Sequence, residues 1–269
     1  MRRLALFFLA FLWLPYLHGE TTNCQNPTLV PADGRIVSGT FAAAAANSPV
    51  TYWYAFAAQA GHSYSIEFVP TTDNEAGTAG IRFIDFNVFA PGDPMVSCRG
   101  QSSITPSSSL LTANAAIAPG IARSGYGAGR RVSFIQPSSG VDLLYITSDG
   151  LGGGTYSYRI VDTTLFGPHW TTYGWETEFS AVNMSDMQVQ GILTFYAMDN
   201  SLVQTLAVTI PAGGVMRRST RQGDLNTPRN REGYVYFAHN APPGVLLGDA
   251  FMSNSALTVA IPTRFEAHK

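Results

Sequence analysis

Along most of this chain apolar and polar residues alternate with a period of two, and a helical period is almost absent. Tyr64, Ile66 and Phe68 alternate with Ser63, Ser65 and Glu67, which gives one apolar and one polar face. Tyr156, Tyr158 and Ile160 do the same against Thr155, Ser157 and Arg159. Ile81 and Phe83 keep one phase while Ile84, Phe86 and Val88 keep the other, and a bulge between them reconciles the two. Turn-formers separate these runs: Gln59-Ala60-Gly61, Ala90 to Pro94, Pro137 to Gly140, and Asp149-Gly150 leading into Gly152-Gly153-Gly154. Many short strands with regular punctuation predict layered sheets. Ala42 to Ala46 reads as a loop, too short and uncapped to nucleate a helix. Gln101 to Gly129, rich in Ser, Ala and Gly, reads as a long connection.

The alternation pauses at Thr163 to Pro168, where Phe166-Gly167-Pro168 reads as a tight linker. It restarts with Val189, Gly191, Leu193, Phe195 and Ala197, turns at Asp199-Asn200-Ser201, and returns through Leu206, Val208 and Ile210. Further runs at 234–239, 246–252 and 257–261 bring the second half to six or seven strands, an immunoglobulin-like number. The expected fold is all-β: two tandem β-sandwiches over residues 24–163 and 168–266, the first jelly-roll-like and the second immunoglobulin-like.

Residues 1–19 stand apart. Arg2 and Arg3 precede an unbroken apolar run from Leu4 to Leu14, Pro15 ends it, and Gly19 supplies a small residue before a cut near Glu20. Those are the parts of a secretory signal peptide, and the run is too short to span a bilayer. The remainder holds no long apolar stretch, so no transmembrane segment is expected. Export to the periplasm, cell surface or medium follows. There Cys24 and Cys98, the only cysteines, are expected to form a disulfide. Closing so long a loop would stabilise the fold by about 4 kcal/mol.

Composition narrows the function. Charged residues make up 13% of the chain and the net charge is −2, so neither nucleic acid nor an anionic membrane is attracted globally. No Gly-x-Ser-x-Gly elbow and no His-Glu-x-x-His is present, and no catalytic residue is assigned. His239, with Asp249 downstream, is the one histidine weighed as a general base, against a turn histidine bonding backbone. Glu176 and Glu178 share a strand face at a spacing a glycosidase pair could use, against a solvated edge face.

Two loops carry clustered oxygen ligands of the kind calcium takes, with Asp73 and Glu75 in one and Asp85 and Asp93 around the next. Five arginines, Arg217, Arg218, Arg221, Arg229 and Arg231, concentrate in what reads as a loop and could grip anionic groups. Trp170, Tyr173 and Trp175 offer planes for sugar stacking or for packing between domains.

Several segments, in order, resemble bacterial pre-peptidase C-terminal domains. These are Val37-Ser38-Gly39, Tyr52 to Phe56, Ala60 to Ile66, Asp85 to Gly92, Leu144 to Thr147 and Gly154 to Ile160. The resemblance covers roughly residues 30–162, with Thr51 where the family often has an acidic residue. It implies a jelly-roll-like sandwich associated with substrate adhesion or secretion, with calcium in the collagen-binding relatives. Residues 177–183 and 211–214 resemble parts of uncharacterised C-terminal β modules of bacterial secreted proteins. The expected function is a secreted, non-enzymatic binding or structural protein that adheres to extracellular polysaccharide or protein. The alternatives are a hydrolase of unrecognised type and a subunit of a surface assembly; the sequence leaves the oligomeric state open.

Overall fold

A computed structural model describes residues 21–42, 50–70, 84–89, 130–136, 139–148, 154–221, 225, 228–254, 256 and 259–267. The expected leader, Asp73, Glu75, Asp93, Cys98, the segment 101–129 and the bulge between 83 and 84 lie wholly or partly outside these residues. All the described elements are strands.

The first eight are β1 (Thr28–Leu29), β2 (Val37–Phe41), β3 (Val50–Ala58), β4 (Ser63–Pro70), β5 (Ile84–Phe89), β6 (Arg130–Ile135), β7 (Gly140–Ser148) and β8 (Gly154–Asp162). They form two four-stranded sheets, ordered β1-β3-β7-β5 and β2-β8-β4-β6. The alternating residues read from sequence meet between them: Tyr52, Tyr54 and Phe56 from β3, Tyr64 and Ile66 from β4, and Tyr156, Tyr158 and Ile160 from β8. This core is rich in tyrosine, and buried hydroxyls need partners. Tyr54 and Tyr156 hydrogen-bond each other, and Tyr52 donates to the Thr40 carbonyl at 3.2 Å.

The second group is β9 (Leu165–Thr171), β10 (Trp175–Asn183), β11 (Val189–Ala197), β12 (Leu202–Ile210), β13 (Val215–Ser219), β14 (Glu232–His239), β15 (Leu246–Asn254), β16 (Ala260–Thr263) and β17 (Glu266–Ala267). Their sheets run β13-β10-β15-β16 and β12-β11-β14-β9-β17. Between them lies a second core containing Trp170, Phe179, Leu193, Phe195, Val235 and Phe237. The chain is thus all-β, in two groups of sheets with a sandwich-like core each.

Two sequence expectations need correction. Phe166-Gly167-Pro168 is no linker but part of β9. Gly167 is there for packing, since a Cβ would come within 2.7 Å of Val235 Cγ1 and 3.0 Å of Phe179 Cε1. Pro168, which has no N–H for a ladder, falls where the register with β14 slips between Gly233 and Val235.

Arg217 and Arg218 are not in a loop either. They lie on β13, paired with Ser180 and Phe179. Of the expected Cys24–Cys98 disulfide, only Cys24 lies among the described residues. Cys24 itself is buried, 5% exposed, and is not a free thiol.

The two groups meet through a short, heavily bonded connection. Asp162 ends β8, and its Oδ1 accepts from the Thr164 amide (3.0 Å) and hydroxyl (2.6 Å). Its Oδ2 is 2.8 Å from His62 Nδ1. The Thr163 amide donates to the Ser63 carbonyl at 2.8 Å, and the Ser63 amide donates to the Thr164 hydroxyl at 2.9 Å. Burial works to raise the Asp162 pKa, but the hydrogen bonds from His62 and Thr164 outweigh it and hold the carboxyl below its usual range. The junction therefore carries a carboxylate hydrogen-bonded through both of its oxygens.

Candidate functional site

The outer face of the five-stranded sheet carries a connected group of aromatic rings. Residues of even number on β11 and β14 point away from the core, because Phe195, Val235 and Phe237 point into it. Tyr196 and Tyr234 are register partners and stack with centroids 5.2 Å apart and planes at 17°. Tyr236 meets Tyr234 edge-on at 5.6 Å and Tyr196 at 6.1 Å. Phe166, opposite Tyr236 on β9, packs against it at 5.1 Å. All four are half-buried. At the inner end His62, from the turn between β3 and β4, lies 5.0 Å from the Tyr236 ring. The first group of strands thus closes one end of the row.

The core on the other side fixes this row. Trp170 is 0% exposed, and its indole N–H points at the carbonyls of Tyr196 (3.0 Å) and Tyr234 (3.1 Å). One buried donor thereby ties together the backbones of the two residues whose rings stack outside. Gly233 leaves the room for it: a Cβ there would come within 1.8 Å of the Tyr196 carbonyl oxygen.

The outer end of the row is polar. The Tyr234 hydroxyl donates to Asn200 Oδ1 at 3.0 Å, and Asn200 holds a left-handed turn at φ 66°. Neighbouring Asp199 has its pKa lowered, first by the Ser201 hydroxyl and amide, with the Arg231 charge also contributing. Glu232 and His169 stand 4.0 Å apart at the start of β14 and on β9. Ring faces bordered by amide, carboxylate and guanidinium groups can take a ligand with apolar C–H faces and hydroxyl edges.

The residues singled out from sequence are dispersed. Trp170 belongs to the core and offers no plane to solvent; Tyr173 is 56% exposed in the turn after β9, and Trp175 is half-buried at the start of β10. They form no common platform. Of the arginines, Arg221 pairs with Glu176, Arg217 and Arg229 are exposed, and Arg218 donates to the Arg217 carbonyl at 2.8 Å. The Arg231 charge acts on Asp199, beside the outer end of the aromatic row. Tyr196 lay within the Val189–Ala197 run and Tyr234 and Tyr236 within the 234–239 run. Their outward direction depended on a register that only the assembled sheet fixes.

The candidate chemistries are placed as follows. Glu176 is held by Arg221. His239 is 2% exposed, and its Nδ1 accepts from the Ala241 amide at 3.2 Å. Burial above all pushes its pKa down to about 4, against opposing contributions from the Thr163 and Ala241 backbone and the Asp162 charge. It lines a cleft of about 290 Å³ together with Asp162, Leu165, Pro242 and Leu247. No hydroxyl nucleophile is recorded bonded to it among the described residues. Asp85 is described by its backbone on β5, opposite Thr147. Among the described residues no group of three His, Cys, Asp or Glu side chains is placed to hold a metal ion. No described helix is long and apolar enough to cross a membrane.

No protein-family model matches this chain, and no curated protein does. Among solved structures it is similar to the adhesin domain of Epf from Streptococcus pyogenes, at 11% identity and a TM-score of 0.29, covering 86% of this chain and 76% of that one. It is also similar to a β-glucuronidase of glycoside hydrolase family 2, at 10% identity and a TM-score of 0.24, covering 87% of this chain and 24% of that one. The full extracellular region of zebrafish Gpr126/Adgrg6 is similar at 10% identity and a TM-score of 0.22, covering 92% of this chain and 34% of that one. The chain spans about a quarter of the glucuronidase and about a third of the Gpr126 region. Likenesses at these scores carry no argument about function.

Proposed function

We propose that this chain is an exported, non-catalytic binding protein whose second β-sandwich adheres to extracellular polysaccharide through the Tyr196–Tyr234–Tyr236–Phe166 face. The observation that carries this reading is a row of four half-buried aromatic side chains on the outside of a sheet. Solvent-facing sheet positions are usually polar, and a contiguous aromatic row there is a common form for a binding surface. Tyrosine supplies large contact area with few rotatable bonds, so little ordering entropy is lost on contact. Asn200, Asp199 and Arg231 supply the hydrogen-bonding edge that sugar hydroxyls need. The resemblance of residues 30–162 to pre-peptidase C-terminal domains, jelly-roll-like modules associated with adhesion, supports the same role, with an immunoglobulin-like second module presenting the face.

Screening the protein against immobilised glycans and extracellular matrix proteins, with and without calcium, tests this. A glycan signal that falls about tenfold or more in a Tyr196→Ala/Tyr234→Ala variant with an unchanged melting profile is expected, since two lost ring contacts of about 1 kcal/mol each suffice. Binding that persists in that variant overturns the assignment of the face. Signal only on matrix proteins overturns the polysaccharide class.

A further inference from the structure

An open sheet edge exposes a row of backbone donors and acceptors that another strand can pair with, and proteins commonly blunt such edges with charge, proline, bulges or shortness. Most described edges here are blunted. β17 is two residues long, β16 has four and contains Pro262, and β13 carries Arg217 and Arg218. In the first group β1 has two residues, β5 contains Asp85, β6 begins with two arginines, and β2 has five residues around Gly39. The exception is β12, whose one irregularity against β11 falls at its start, at Val203. It runs for nine residues, Leu202–Ile210, with no charge and no proline, and β11 is its one described strand partner. Thr205, Ala207 and Thr209 are exposed on the side that carries the tyrosines, while Val208 and Ile210 face the core.

We infer that β12 pairs antiparallel with β12 of a second copy of this chain, about a two-fold axis passing midway between the two Ala207 residues. The second copy is favoured because the strand is compatible with itself. Around that axis Ala207 meets Ala207 of the partner subunit, Thr205 meets Thr209 of the partner subunit, and β12 itself brings no charge to the pairing. Threonine pairs across antiparallel strands are favourable. A two-fold pairing also closes, and so does not propagate into a filament.

The result is a continuous ten-stranded sheet made from two five-stranded ones. The axis runs perpendicular to that sheet, so both tyrosine rows face the same way. Five strand spacings of about 4.8 Å put the two β14 strands roughly 24 Å apart. Two weak sites at that spacing could engage one repeating polymer together.

Sedimentation of the full chain, of Ala207→Lys, of Ala207→Glu and of their equal mixture tests this, with thermal melts to confirm folding. The expected result is a dimeric wild type, single variants with dimerisation weakened about tenfold or more, and a mixture that reassociates because Lys and Glu then meet on the axis. A monomeric wild type, a single variant that remains fully dimeric, or a mixture that stays monomeric overturns the proposal. Should Ala207→Lys fail to fold, the double variants Thr205→Lys/Thr209→Lys and Thr205→Glu/Thr209→Glu are tested in the same way, alone and as an equal mixture.

Discussion

Asp142 and His239 are both buried ionisable groups, one in each group of strands, and their pH effects run in opposite directions. Asp142 is 0% exposed, accepts from Gln136 at 2.9 Å through Oδ1, and has no partner for Oδ2 among the described residues. Burial pushes its pKa up to about 7, against the Gln136 hydrogen bond, so the fold favours the protonated acid. That preference stabilises the protein fully below about pH 4 and is lost as the pH rises through about 7. His239 is favoured neutral: its contribution is present above about pH 6.5 and is lost as the pH falls through about 4. Asp142→Asn removes the first dependence and keeps the second. Urea titrations from pH 4 to pH 8 should show the variant gaining on wild type as the pH rises, by up to roughly 4 kcal/mol. A difference that stays constant with pH contradicts a buried neutral Asp142.

At the scale of elements, the β9–β14–β11 arrangement decides where the aromatic face lies. Trp170 and Gly233 are its working parts. Trp170→Phe keeps most of the core volume but leaves two carbonyls without their indole donor, for an expected loss of about 1–3 kcal/mol. Gly233→Ala forces a methyl group against the Tyr196 carbonyl, for an expected loss of about 3 kcal/mol or more. Both losses are read by thermal or urea unfolding, and a neutral Gly233→Ala would mean that β11 and β14 are further apart than described.

The alternating runs at Tyr64–Phe68, Tyr156–Ile160 and Val189–Ala197 were legible because the chemistry of half-buried strands has period two. β9 and β13 were not. Pro168 and Gly167 imitate a linker until a bulge and a close packing contact explain them, and paired arginines imitate a loop although an edge strand tolerates them. The face itself was hidden for a related reason. Trp170 looks like a platform residue and Tyr234 carries no mark of facing outward, and only the register shows which way each points.

Across the whole molecule, the junction sets the first group of strands against one end of the proposed binding face. The His62–Asp162–Thr164 hydrogen bonds anchor the connection, and the His62 ring, packed on Tyr236, closes one end of the aromatic row. Its opposite end stays open toward Asn200 and Asp199, so an extended ligand would enter there and run along β11 and β14. The most direct test is an NMR titration of the tyrosine-labelled protein with a soluble oligosaccharide of the glycan it binds. The ring signals of Tyr196 and Tyr234 should shift with saturation, while those of the core residues Tyr54 and Tyr156 stay in place. Saturable shifts confined to other tyrosines, with Tyr196 and Tyr234 unmoved, would contradict the account.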